Sequence, residues 1–129
     1  MKTILVVEDE EAIRWRILSV LAEAGGYEIL CAVSHADGRL MGIGFPREID
    51  LLLSNVILDG GKLGSGLAAE IKLRRPRMGV ILIDGKGCGH LDILQRACQG
   101  WEAVENPFMG DELITRIRAE IGGGMTAGG

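Results

Sequence analysis

Several things that would betray a function are absent from the 129-residue chain. It has no basic excess: 14 Lys and Arg stand against 18 Asp and Glu, a formal net charge of -4. A nucleic-acid surface needs clustered cations to neutralise phosphates, so the chain itself is expected to bind no DNA or RNA. The three cysteines, Cys31, Cys88 and Cys98, form no C-x-x-C pair. Neither a disulfide framework nor a zinc knuckle is indicated, and reduced thiols are expected. The apolar run after Met1 and Lys2 gives way at once to Glu8, Asp9, Glu10 and Glu11. It is too short for a signal peptide or a membrane span, and a cytoplasmic location with no membrane partner is expected.

What is present is one domain's worth of chain, 47% hydrophobic and 25% charged, enough for a single ordinary core. Five short aliphatic runs read as strands buried on both faces: Thr3 to Val7, Glu28 to Ala32, Asp50 to Ser54, Val80 to Ile83 and Ala103 to Glu105. Helical segments alternate with them. In Glu11 to Ala24 the residues Ile13, Ile17, Val20, Leu21 and Ala24 make one apolar face, and Gly25 with Gly26 ends the helix. Further helices are predicted over His35 to Met41, Ser65 to Arg74, Leu91 to Gln99 and Met109 to Ile121. Alternation of this kind predicts an α/β flavodoxin-like fold: a doubly wound, five-stranded parallel sheet of order 2-1-3-4-5. The domain is read as residues 1 to 121, followed by a flexible glycine-rich tail, 122 to 129.

In such a sheet the functional crevice lies beyond the carboxyl ends of the strands, at the switch point between the first and third. The residues in question are Glu8 and Asp9, Asn55, Asp84 and Asn106. Two adjacent carboxylates there point to a hard divalent cation such as Mg²⁺.

The segments ILVVEDEEAIR, DLLLSN, GSGLAAEIKLRRP, VILID and ENPF, in that order, together resemble a response-regulator receiver domain of two-component signalling, over roughly Thr3 to Ile121. The resemblance implies an acidic pair holding Mg²⁺, here Glu8 and Asp9. It implies a phosphorylated aspartate at the end of the third strand, where this chain has Asn55. The family's Thr or Ser position is Asp84, its switch aromatic is Ala103 and its Lys is Asn106. A cis peptide is implied before Pro107. The loop LDGGKLGSG is longer than the family's usual turn, with Asp59 where a Pro is common.

Those replacements predict a degenerate, atypical receiver. An acyl phosphate needs a nucleophilic carboxylate, which the Asn55 carboxamide does not supply, and Asn106 offers only a neutral donor to a developing charge. Glu8, Asp9 and Asp84 are expected to gather three carboxylates in one pocket, with raised proton affinity and weak Mg²⁺ binding. Alternatively, the acids Glu8 and Asp9 serve the amino end of the first helix. No enzyme activity is expected, and the function is read as binding another signalling protein, such as a histidine kinase or phosphotransfer protein. The partner surface is assigned to Trp15, Leu18 and Ala22, which lie roughly 140° to 200° around the first helix from Ile13. The face from strand four to the last helix, with Arg116 and Arg118, is the competing site and a candidate homodimer surface.

Two other readings have sequence support. One is a working phosphotransfer receiver that uses Asp59 or Asp84. The other is an NAD-type oxidoreductase, since Gly64, Gly66 and Ala69 open a helix as G-x-G-x-x-A. In that fingerprint the glycines follow the strand at once, whereas here a loop separates them from Asn55.

Overall fold

The computed structural model describes residues 1–85, 97–105 and 110–123. Five parallel strands, β1 (Lys2–Val7), β2 (Tyr27–Ala32), β3 (Leu51–Asn55), β4 (Gly79–Asp84) and β5 (Glu102–Glu105), form one sheet. Their order is β2-β1-β3-β4-β5, as predicted. Four helices are described: α1 (Glu11–Ala24), α2 (His35–Gly44), α3 (Gly64–Lys72) and α4 (Gly110–Ile121). Most of the segment predicted as a helix over Leu91 to Gln99 lies outside the described residues, although Ala97 and Cys98 are helical and buried. Among the described residues no helix is long and apolar enough to cross a membrane.

The unbroken aliphatic runs have a direct cause. Successive side chains of a strand point to opposite faces, and here both faces are covered. Leu5, Val7, Leu52, Val80 and Leu82 pack with Leu67, Ala68 and Ile71 of α3. Ile4, Val6, Leu53, Ile81 and Ile83 pack on the other side with Ile17 and Leu21 of α1 and Leu113 and Ile117 of α4. One aliphatic strand thus feeds two cores, and an alternating polar residue in its middle would be buried on one of them.

Local chemistry fixes the ends of the elements. Ser34 caps α2 by accepting from the Asp37 N–H at 3.0 Å. The far end of α2 is closed from outside the helix: the Arg75 guanidinium donates to the carbonyls of Gly42 at 2.6 Å, Phe45 at 2.6 Å and Arg47 at 2.7 Å. These are carbonyls at and just beyond the helix terminus, where no intrahelical donor is available.

Candidate functional site

The carboxyl ends of β1 and β3 lie side by side, with Val7 opposite Ser54. Glu8 continues β1, its N–H donating to the Ala32 carbonyl of β2 at 3.1 Å. In the alternation Glu8 follows Ile4 and Val6, and Asn55 follows Leu51 and Leu53, so both side chains turn to the face that α1 and α4 cover. They meet there. Asn55 Nδ2 donates to Glu8 Oε1 at 3.1 Å, and Asn55 Oδ1 accepts from the Ile57 N–H at 3.4 Å. Glu8 is 0% exposed and Asn55 1%, so this contact is out of water.

Glu8 Oε1 also accepts from the Glu10 N–H at 3.1 Å, at the entrance to α1. The acid therefore serves both the helix start and the pocket. Glu8 Oε2 is buried and has no hydrogen-bond partner. Burial pushes the Glu8 carboxyl above its ordinary 4.5; the Glu10 N–H and the Asn55 amide oppose that shift, and the charges of Asp9 and Glu10 add to it. The Arg14 guanidinium, from the first turns of α1, donates to the Glu8 carbonyl at 3.0 Å.

A glycine stands beside the Asn55 amide. A Cβ on Gly85 would lie 2.9 Å from Asn55 Nδ2 and 2.9 Å from Ile13 Cδ1. Beneath Asn55, a Cβ on Gly64 would stand 2.2 Å from the Asn55 carbonyl oxygen and 2.8 Å from Ser54 Oγ. Gly64 also donates its N–H to the Val56 carbonyl at 2.8 Å. The start of α3 is thus pressed against the end of β3. Packing gives the first glycine of G-x-G-x-x-A its reason, whereas Gly66 faces open space.

The expected third carboxylate is not part of this cluster. Asp84 is buried at 4% exposure at the end of β4, two strands from β1. Among the described residues no three His, Cys, Asp or Glu side chains are placed to hold a metal ion together. The expectation of Glu8, Asp9 and Asp84 in one pocket is therefore corrected.

The long loop after Asn55 is a compact structure. An antiparallel bridge joins Ile57 to Leu63, the Leu58 N–H donates to the Lys62 carbonyl at 2.7 Å, and a 3-10 turn, Asp59–Gly61, forms the tip. Asp59 Oδ1 accepts from the His35 N–H, the first of α2, at 2.7 Å. That bond holds the Asp59 carboxyl below the usual carboxylate range, with smaller help from the Lys62 charge. Asp59 is a tether between loop and helix.

The outer face of α1 also needs correction. Trp15 is 62% exposed and Ala22 is exposed, as expected. Leu18 is half-buried and packs against the core, as Ile13 and Val20 do. Ala103 is half-buried against the α2 and α3 side of the core. Arg116 pairs with Glu112 along α4 at 3.7 Å, and Arg118 is exposed. Asn106, Pro107 and its expected cis peptide lie outside the described residues.

The Glu8 environment makes a pH-dependent prediction. A carboxyl raised in the folded chain keeps its proton to higher pH than in the unfolded chain. Stability is therefore greatest below the ordinary value and falls as pH rises through the folded one. Glu8→Gln should raise the melting temperature near pH 8 and give little or no gain near pH 4. Thermal unfolding of both proteins at the two pH values checks this; an equal difference at both would mean that Glu8 is not the titrating group.

No protein-family model matches the chain. It is 30% identical over 124 residues to the phosphate regulon transcriptional regulatory protein PhoB of Pseudomonas aeruginosa, covering 93% of this chain and 52% of that one. It is 27% identical over 116 residues to an NtrX-like response regulator of Rickettsia bellii, covering 89% of this chain and 24% of that one. The chain thus spans about a quarter of the length of one relative and about half of the other. The receiver domain of the hybrid histidine kinase CckA superposes with a TM-score of 0.73 at 26% identity, covering 92% of this chain and 98% of that one.

Proposed function

From the premise that this chain is a response-regulator receiver domain of the CheY-like fold, we propose that it is an atypical one, which works by binding another signalling protein without aspartyl phosphorylation. The observation that carries this reading is the Asn55–Glu8 hydrogen bond. At the end of β3 the chain presents a neutral amide whose N–H faces a buried acid. A phosphoryl acceptor there would need a carboxylate with a free oxygen lone pair. Among the described residues the pocket also holds no Lys, and Asn106 stands where the family's Lys is expected, so a developing phosphoryl charge has no cationic partner in the family's manner.

The module then has no catalytic step of its own. Its partner is a histidine kinase or phosphotransfer protein, and the docking face is the exposed side of α1 around Trp15, with Ala22. Exposed Trp is a frequent interface anchor, and truncating one often costs about 2 kcal/mol or more of binding.

Incubation with Mg²⁺ and acetyl phosphate or phosphoramidate should leave the mass of the intact protein unchanged. An adduct beyond a trace would overturn this reading, and peptide mapping would show whether Asp59 or Asp84 carries it. Asn55→Asp alone is expected to remain a poor acceptor, since the Lys is still missing and the new carboxylate would face Glu8 across a hydrogen-bond distance.

A further inference from the structure

The metal that the resemblance implies at Glu8 and Asp9 can be tested against the donors present. Mg²⁺ demands near-octahedral oxygen ligands and is reluctant to dehydrate. At the meeting of β1 and β3 this chain offers an N–H instead: Asn55 Nδ2 faces Glu8 Oε1 at 3.1 Å. The amide orientation is set from both ends, because the oxygen end accepts from the Ile57 N–H at 3.4 Å. Exchanging the two ends to offer Oδ1 to a cation would turn Nδ2 on the Ile57 N–H and bring two donors face to face. Gly85 leaves no room for a side chain beside the amide, since a Cβ there would lie 2.9 Å from Asn55 Nδ2. Glu8 Oε1 already accepts two N–H groups, and no third carboxylate joins the acidic pair among the described residues. On the Asn55 side the donors present do not fit the ion, and Glu8 Oε2, buried and without a hydrogen-bond partner, is the one oxygen of that carboxylate still open to it.

We propose that the Asn55 amide takes the place of the divalent cation in this pocket, tying the acidic end of β1 to the end of β3 by a hydrogen bond, so that these two strand ends stay joined without metal. The inference rests on the same residue as the functional reading above, but it concerns what holds the pocket together, not whether phosphate is accepted. A partner would then meet one arrangement of the β1 and β3 ends at any Mg²⁺ concentration.

The test uses the whole chain with Mn²⁺ as the bound probe, followed by water-proton relaxation, and with Mg²⁺ in thermal unfolding. The wild-type protein should show no saturable Mn²⁺ binding through the millimolar range and no change of Tm with Mg²⁺. Asn55→Asp adds a carboxylate ligand and removes the donor, so Mn²⁺ binding should appear, at least about tenfold tighter than any wild-type binding. Asn55→Ala removes the donor and leaves space beside a buried acid, and Mg²⁺ should raise its Tm. A metal response in either variant, with none in the wild type, supports the proposal. Saturable binding by the wild type, or silence in both variants, overturns it. Wild-type Mn²⁺ binding without a phosphoryl adduct would sink this inference alone, whereas an adduct would sink the functional reading.

Discussion

Gly64→Ala is expected to be the most damaging glycine-to-alanine change among the described residues. The new Cβ would stand 2.2 Å from the Asn55 carbonyl oxygen, and that atom belongs to the backbone of a central strand, not to a side chain that can swing away. Overpacking a buried site costs about 1–3 kcal/mol, and with a rigid neighbour we expect about 3 kcal/mol or more. Gly66→Ala, two residues on in the same helix, is the control. Nothing lies within 4 Å of its added methyl, so it should gain roughly 0.5–1 kcal/mol from helix propensity alone. Urea unfolding of the two variants should move the midpoint in opposite directions with unchanged m-values. Equal losses would mean that the start of α3 does not press on the end of β3 as described.

Arg75→Ala should cost about 2–4 kcal/mol, an unusual loss for a partly exposed cation. Most surface charges contribute little, because solvent screens them. Arg75 differs in that its guanidinium donates to three carbonyls, of Gly42, Phe45 and Arg47, each within 2.7 Å. Removing it takes the guanidinium donor from all three carbonyls, leaving the Phe45 N–H on the Met41 carbonyl to close α2. Arg75→Lys should recover only a small part, because an ammonium group cannot present the planar fork that reaches three separate acceptors. Chemical denaturation at two salt concentrations checks the claim. A loss that salt abolishes would indicate a screened surface charge and not a helix closure.

Much of the fold was legible because both faces of the sheet are covered. Runs such as Ile4 to Val7 and Leu51 to Leu53 can be aliphatic throughout only when alternate side chains enter two cores. The bounds of α1 followed from its periodicity and its closing glycines, and strand order followed from the alternation of elements. The site was legible in its residue types but not in their pairings. Sequence identified Glu8 and Asn55 as strand-end residues; that one donates to the other depends on strand phase and register. That Asp84 does not join Glu8 and Asp9 in a group able to hold a metal was not revealed by its place at a neighbouring strand end. Leu18 was assigned to the outer face because one helix was read against one sheet, and its partial burial against the core was not in that picture. Gly64 carried a visible signal, a glycine opening a helix, but the signal does not say whether a phosphate or a carbonyl oxygen is the close neighbour.

The loop between β3 and α3 has one further use. Its tip, Gly60 and Gly61, has positive φ angles of 68° and 76° and no atom within 4 Å of where a Cβ would be. Just below, the Ile57–Leu63 bridge closes the loop, and Asp59 ties it to α2. A short flexible insert between the two glycines would therefore hang from a closed stem and leave the pocket undisturbed. A fluorophore or an affinity handle placed there would sit on the α2 side of the loop, away from the Trp15 face.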